Sequence, residues 1–293
     1  MPKVPSILTI VATVWLSTTL WAEDQKQEPE AEPPFSFSFD TTLVSKFMWR
    51  GQRLTDGWNQ QSAGTFGVKS FSVNVWTKMD LQALNEGDTS FLSQNPDFGG
   101  LGGSGLRGKF SEVDLTFSYA KELSKATITG GAITYIFPYT SYPSTTEVFG
   151  RLSFDSVPLA PAVTVNVDVD ESRGRGDTGL YLELAGSHSV PLSSKHFKSV
   201  DISGRLGVAG SGFSNLCYKF DHSGLHDAGL SVSLPVAIGK GWSSTLFVSY
   251  ASLLGGFRDY QYVNLPAFYR GTAGPPSSYA DTVWGGITFA FAR

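Results

Sequence analysis

The chain has little with which to staple or chelate itself: among 293 residues there is one cysteine, Cys217, and only four histidines. A single thiol excludes an intrachain disulfide framework, and without neighbouring His/Cys ligand spacing it offers no structural zinc site. Charge is scarce as well, at 16% Asp, Glu, Lys and Arg, with a formal net charge of -4. No basic cluster is present, so the electrostatic footprint of a nucleic-acid binder is missing. No amphipathic helical segment offers itself to a partner helix. The one long apolar run, residues 7–21, is too short to cross a bilayer comfortably as a helix, which needs about 20 residues. Following Lys3 and ending near Ala22, it reads as a signal peptide, residues 1–22.

Past that leader, residues 23–34 (EDQKQEPEAEPP) carry five acidic residues and three prolines and no apolar side chain larger than alanine. Such a stretch cannot bury a core and reads as a disordered lead-in. From Phe35 onward the composition changes and then stays uniform. There is no internal linker, so 35–293 reads as one domain.

What fills that domain is alternation. Phe35, Phe37, Phe39, Thr41, Leu43, Ser45, Phe47 and Trp49 fall on one face of an extended chain, and Ser36, Ser38, Asp40, Thr42, Lys46 and Arg50 on the other. Successive strand side chains point to opposite faces, so such a segment has an oily side and a wet side. A soluble sandwich shares that pattern, and alternation alone does not choose between them. The spacing of the segments does. Strands are expected near 35–50, 59–68, 71–81, 112–121, 126–137, 146–155, 161–169, 179–190, 199–209, 226–236, 242–251 and 282–291. The connections alternate between short ones, such as Lys69-Ser70, and long ones, the longest at 82–111 and 252–281. An even strand count with short turns at one end and long loops at the other predicts an all-β fold: a transmembrane, antiparallel, up-and-down barrel of about 12 strands in a Gram-negative outer membrane, its termini periplasmic.

The outward faces agree with that expectation. Val73, Val75, Met79 and Leu81, or Ala228, Leu230, Val232, Leu234 and Val236, form charge-free stripes suited to lipid. Aromatics fall near strand ends, with Phe35, Phe37, Tyr119, Trp242, Phe289 and Phe291 at the inner rim and Phe47, Trp49 and Tyr250 at the outer. The fifth expected strand, with Thr127, Thr129, Ile133 and Tyr135 against Ile128, Gly130, Ala132 and Ile136, does not declare its faces. The last strand, residues 282–291, carries glycines and apolar residues and ends in the alternate aromatics Phe289 and Phe291, like the segment that barrel-assembly machinery reads; Ala292 and Arg293 follow it.

The segment Leu43-Val44-Ser45-Lys46-Phe47-Met48-Trp49-Arg50-Gly51, followed by Thr55-Asp56-Gly57 and Gln61, resembles the TorF-like group of proteobacterial outer-membrane porins. So do Glu112-Val113-Asp114-Leu115 and Tyr142-Pro143 before Thr146-Glu147-Val148-Phe149. The resemblance implies a porin-like barrel and supplies neither a solute nor a catalytic residue.

Opposite parity names the inward residues. Asp40, Lys46, Arg50, Lys78, Asp80, Glu112, Asp114, Glu147, Arg151, Asp168, Glu183 and Arg205 are pore-lining candidates, with Asp155, Asp170 and Asp201 at lumen or rim. Acidic groups outnumber basic ones about two to one, a balance that favours cations. The alternative is a structural charge ladder, pairing Glu147 or Glu183 with Arg151 or Arg205. In the final long loop, Arg258, Tyr260, Tyr262 and Arg270 suit a constriction, while a merely exposed loop is the plainer reading. The run Gly99-Gly100-Leu101-Gly102-Gly103-Ser104-Gly105 lacks the lysine and the strand-helix setting of a phosphate loop.

Enzymatic barrels are the competing class. A lipase needs Ser, His and an orienting group converging on the outer face, but His188 points outward while Ser187 and Ser189 point inward. An acid-histidine protease could draw on Glu112, Asp114, Asp221, His222, His226 and Asp227, yet Asp221 and His222 are adjacent and splay apart. The expected function is passive diffusion of small hydrophilic solutes or ions, without catalytic residues, cofactor or metal. The partners are lipid, small solutes and the assembly machinery, with no nucleic acid. A structural or adhesin barrel with a plugged lumen is the alternative.

Overall fold

A computed structural model of the chain describes residues 35–55, 57–82, 107–138, 144–170, 179–194, 197–218, 221–264 and 280–293. The expected leader (1–22) and acidic lead-in (23–34) lie outside them, as does the run Gly99 to Gly105. The strands are β1 (Phe35–Val44), β2 (Phe47–Trp49), β3 (Gln52–Thr55), β4 (Asn59–Val68), β5 (Phe71–Asp80), β6 (Phe110–Glu122) and β7 (Thr127–Ile136). They continue with β8 (Thr145–Ser153), β9 (Ala162–Asp168), β10 (Gly179–Pro191), β11 (Ser199–Ala209), β12 (Gly224–Gly239), β13 (Trp242–Leu253) and β14 (Asp281–Ala292). Two short helices, α1 (Ser211–Tyr218) and α2 (Gly255–Asn264), sit in long connections.

All strands but β2 and β3 close into one antiparallel barrel. Each pairs with its neighbours along the chain, and β1 seals the wall against β14 from Ser38↔Ala292 to Val44↔Gly286. Closure leaves no strand edge unpaired, the condition for sheet to survive in hydrocarbon. Eleven of the twelve expected strands match the barrel strands to within three residues at both ends. The exception is the first, which stops at Val44 rather than reaching residue 50.

The wall has the two faces that alternation predicts. Phe66, Val75, Phe117, Leu184, Leu230 and Val248 point outward and are exposed, whereas Thr42, Asn74, Thr116 and Thr288 point inward and are buried. The seventh strand resolves its ambiguity: Asp114 pairs with Tyr135 and Glu147 with Ile133, so Thr127, Thr129, Ile133 and Tyr135 face the lumen. At the short-turn end the outward aromatics contact one another, Phe35 with Phe66, Phe71 with Tyr119 and Trp242 with Phe291, as befits an interfacial girdle. At the long-loop end Trp58, Phe110 and Tyr250 are exposed. Phe47 is 4% exposed and lies inside the barrel with Trp49, so neither belongs to that girdle.

Candidate functional site

The departure of Phe47 and Trp49 from the wall builds the site. After Val44 the chain is pinned to β14, Ser45 donating its N–H to Gly285 O (3.0 Å) and accepting from Gly285 N at its Oγ (3.2 Å). It then leaves the barrel sheet and turns on itself as a separate hairpin, β2 against β3, with Trp49 opposite Gln52. The two turn residues, Arg50 and Gly51, have φ of +46° and +76°, the pattern of a tight two-residue hairpin turn. Glycine at 51 is required twice over, since a Cβ there would lie 2.4 Å from the Asp227 Cβ.

This hairpin lies across the lumen. Its base packs Phe47 against Trp76 of β5 (centroids 5.8 Å apart). Its tip reaches the far wall, where Trp49 stacks on Phe213 of α1 (5.8 Å) and meets Tyr135 of β7 edge-on (6.4 Å). Arg50 sits at the end of it, 5% exposed. Its guanidinium grips Glu147 of β8 in a bidentate pair, Nη1 to Oε1 at 2.8 Å and Nη2 to Oε2 at 2.6 Å. Tyr135 Oη donates to the same carboxylate at 3.1 Å. The guanidinium carbon is 4.5 Å from the Trp49 ring centroid, 4.4 Å from Tyr181 and 5.4 Å from Phe213. A planar, weakly hydrated cation is suited to this combination of a fork-matched carboxylate and flat ring faces.

Beside it lies a second charge cluster. Asp227 of β12 receives Arg205 of β11 at 2.5 Å, Tyr181 Oη at 2.7 Å and the His226 ring at 2.8 Å, while Glu183 lies 3.6 Å from Arg205. A bulge between β11 and β12 makes this possible: Gly207 opposes Asp227 and Val208 opposes Leu225, leaving His226 as the extra residue. His226 is thereby buried beside Asp227 rather than facing lipid. Tyr181, Ala209, Phe213 and Phe257 of α2 form an apolar cluster at the long-loop mouth, against which Cys217 and Trp49 pack.

A third cluster joins β5 and β6. Lys78 contacts Asp80 (2.8 Å) and Ser111 (3.1 Å), Ser111 donates to Asp80 (2.7 Å), and Lys78 lies 4.9 Å from the Phe47 ring. Glu112 and Asp114 are buried on the same face, and Asp114 Oδ1 has no hydrogen-bond partner among the described residues.

The other expected residues are less central. Asp40 is lumenal at the middle of β1, opposite Ala63, and Lys46 stands at the root of the hairpin. Asp168 accepts from Thr145 at 2.7 Å. Arg151 is exposed and reaches Thr164 at 3.2 Å, so the ladder partner of Glu147 is Arg50, not Arg151; Glu183 with Arg205 does form. Asp201 accepts from Ser189, Asp170 donates its backbone N–H to Asp168, and Asp155 is exposed in the β8–β9 turn.

Of the expected constriction residues, Arg258 pairs with Asp281 at 2.5 Å, where Tyr250 also donates to Asp281. That pair is on the rim, 39% and 25% exposed. The Tyr260 and Tyr262 side chains and all of Arg270 lie outside the described residues. For the competing enzyme classes, His188 does face away from Ser187 and Ser189, and Asp227, the partner of His226, is engaged by Arg205 and Tyr181. Tyr135, Tyr181 and Phe213 were not singled out by sequence: the faces of the Tyr135 strand were undeclared, and the meeting of Tyr181 and of Phe213 on α1 with Arg50 depends on segments far apart in the chain.

No protein-family model and no curated protein matches the chain. Among solved structures it is similar to the NanC porin (9% identity, 87% of this chain and 98% of that one, TM-score 0.47). It is also similar to the KdgM porin in complex with disordered oligogalacturonate (10% identity, 88% and 99% covered, TM-score 0.45) and to an outer membrane channel from Pseudomonas putida F1 (8% identity, 92% and 100% covered, TM-score 0.41). With every one of these scores below 0.5, the architecture of this chain rests on its own closed strand order and its two-faced wall.

Proposed function

We propose that the chain is a porin-like channel of a Gram-negative outer membrane, passing small hydrophilic solutes by diffusion through a lumen narrowed at its long-loop end by the β2–β3 hairpin. The observation that carries this reading is the change in surroundings along one lumenal strand face. On β10, Tyr181 is 1% exposed, Glu183, Ala185 and Ser187 are half-buried and Ser189 is exposed, and eight strand residues span about 26 Å. The lumen along that wall opens toward the short-turn end, and in this reading the hairpin is the constriction. A barrel of 12 strands falls between the side-chain-filled bore of about 8 and the open channel of about 16, so one hairpin suffices to narrow it.

Residues 1–22 act as the export signal in this reading, β14 as the assembly signal, and both termini are periplasmic. The likeness to the TorF-like porins at Leu43 to Gly51 runs from the end of β1 through the first strand and turn of the hairpin. Lumenal carboxylates exceed cations near the constriction: Asp80, Glu112, Asp114, Glu147, Asp168, Glu183 and Asp227 against Lys46, Arg50, Arg53, Lys78 and Arg205. A slight cation preference follows.

A plugged, non-conducting barrel is the second reading, favoured by the depth at which Arg50 and Glu147 are sealed. Single-channel recording in planar bilayers separates the two. A porin conducts as the wild type, whereas a plugged barrel conducts only when the hairpin is removed.

A further inference from the structure

The pocket that Arg50 occupies is a receptor in its own right, and we infer that it is a binding site for the guanidinium group of a small organic cation, for which Arg50 is a tethered stand-in. Ownership of the parts makes the case. The carboxylate and its orienting hydroxyl, Glu147 and Tyr135, belong to barrel strands β8 and β7, Tyr181 belongs to β10, and Phe213 to α1. Only the guanidinium and Trp49 arrive on the hairpin, which pairs with no barrel strand. Withdrawal of the hairpin leaves the acceptor and two ring faces in place.

The receptor is shaped for one chemistry. Two parallel N–H···O contacts at 2.8 and 2.6 Å require a planar fork, and rings on the cation's faces favour a flat, weakly hydrated ion over a compact ammonium. Asp114 is buried close by, its Oδ1 unpartnered among the described residues, and offers the site a further hydrogen-bond acceptor. The site also lies at the tip of the hairpin inside the barrel, so a solute entering from the long-loop end would meet it in competition with Arg50. The assignment deepens the channel reading by naming a solute class and rests on that reading for how the solute arrives.

Binding and conduction are tested separately. Full-length protein folded in detergent is titrated calorimetrically with methylguanidinium and, in parallel, methylammonium. In Arg50→Ala, freed of a competitor whose effective concentration is in the millimolar range, methylguanidinium binds at least about tenfold more tightly than in wild type. It also binds at least about tenfold more tightly than methylammonium. Adding Glu147→Gln removes that preference. Equal binding of the two cations, or a preference that survives Glu147→Gln, overturns the site.

If Arg50→Ala does not yield folded barrel, Gly51→Val, which unseats the hairpin and leaves the wall intact, carries the same expected preference and the same refutation. Planar-bilayer current reads the other half: methylguanidinium reduces the current of Arg50→Ala and not that of Arg50→Ala/Glu147→Gln. Selective binding without any current leaves the guanidinium site standing and removes the channel reading. Current without selective binding does the reverse.

Discussion

Arg50 and Glu147 are both nearly sealed from water, with side chains 3% and 4% exposed. Removing one charge leaves the other buried and uncompensated, which costs far more than the intact pair contributes. Glu147→Gln should therefore lower unfolding free energy by about 3–5 kcal/mol, measured by urea titration of vesicle-inserted barrel, while the double variant Arg50→Met/Glu147→Leu should lose much less. Gly51 tests the seating of the tip. Gly51→Val must adopt a positive φ and place a Cβ against Asp227, so the hairpin should sit higher, the Trp49 emission should shift to the red and single-channel conductance should rise. At this scale lumenal parity was readable for Glu147, Lys78 and Asp114, but pairing was not. Arg50 finds Glu147 across 97 positions of sequence, a distance that strand alternation says nothing about.

The hairpin and the final loop make opposite predictions as elements. Replacing residues 46–56 with a short flexible turn should raise conductance severalfold, because the hairpin lies inside the barrel and takes up cross-section there. Arg258→Ala should change it little. The Arg258–Asp281 pair is half-exposed at the rim, where such pairs contribute about 0–1 kcal/mol. Sequence reading ran the first strand on through residue 50 and so did not separate the hairpin from it. The reason is that β2 keeps the period-two pattern of β1, so alternation runs on past the bend at Ser45. Length was the available clue: a membrane crossing needs about 9–11 residues, and β1 already supplies ten.

The whole molecule is a lipid-facing wall around a charged interior, and each side has its test. Val248, 60% exposed at the middle of β13, faces outward, and Val248→Arg should cost about 2–4 kcal/mol of stability in vesicles. The same substitution in detergent, whose surface deforms around a charge, should cost less. On the inner side, the carboxylate excess should move the reversal potential in a salt gradient toward the cation value. That shift should shrink as ionic strength rises, since the Debye length falls from about 10 Å at 0.1 M to about 3 Å at 1 M.

The sequence by itself determined the barrel, its strand count and which residues face inward on most strands. These follow from a local rule, that neighbouring side chains on an extended chain point to opposite sides, and from the rhythm of short and long connections. Only the tertiary structure decided what fills the lumen. The hairpin's path, the bulge that turns His226 inward and the meeting of Arg50 with Glu147, Tyr181 and Phe213 all depend on strands far apart in sequence being brought round a closed wall, and that closure fixes distances no local pattern encodes.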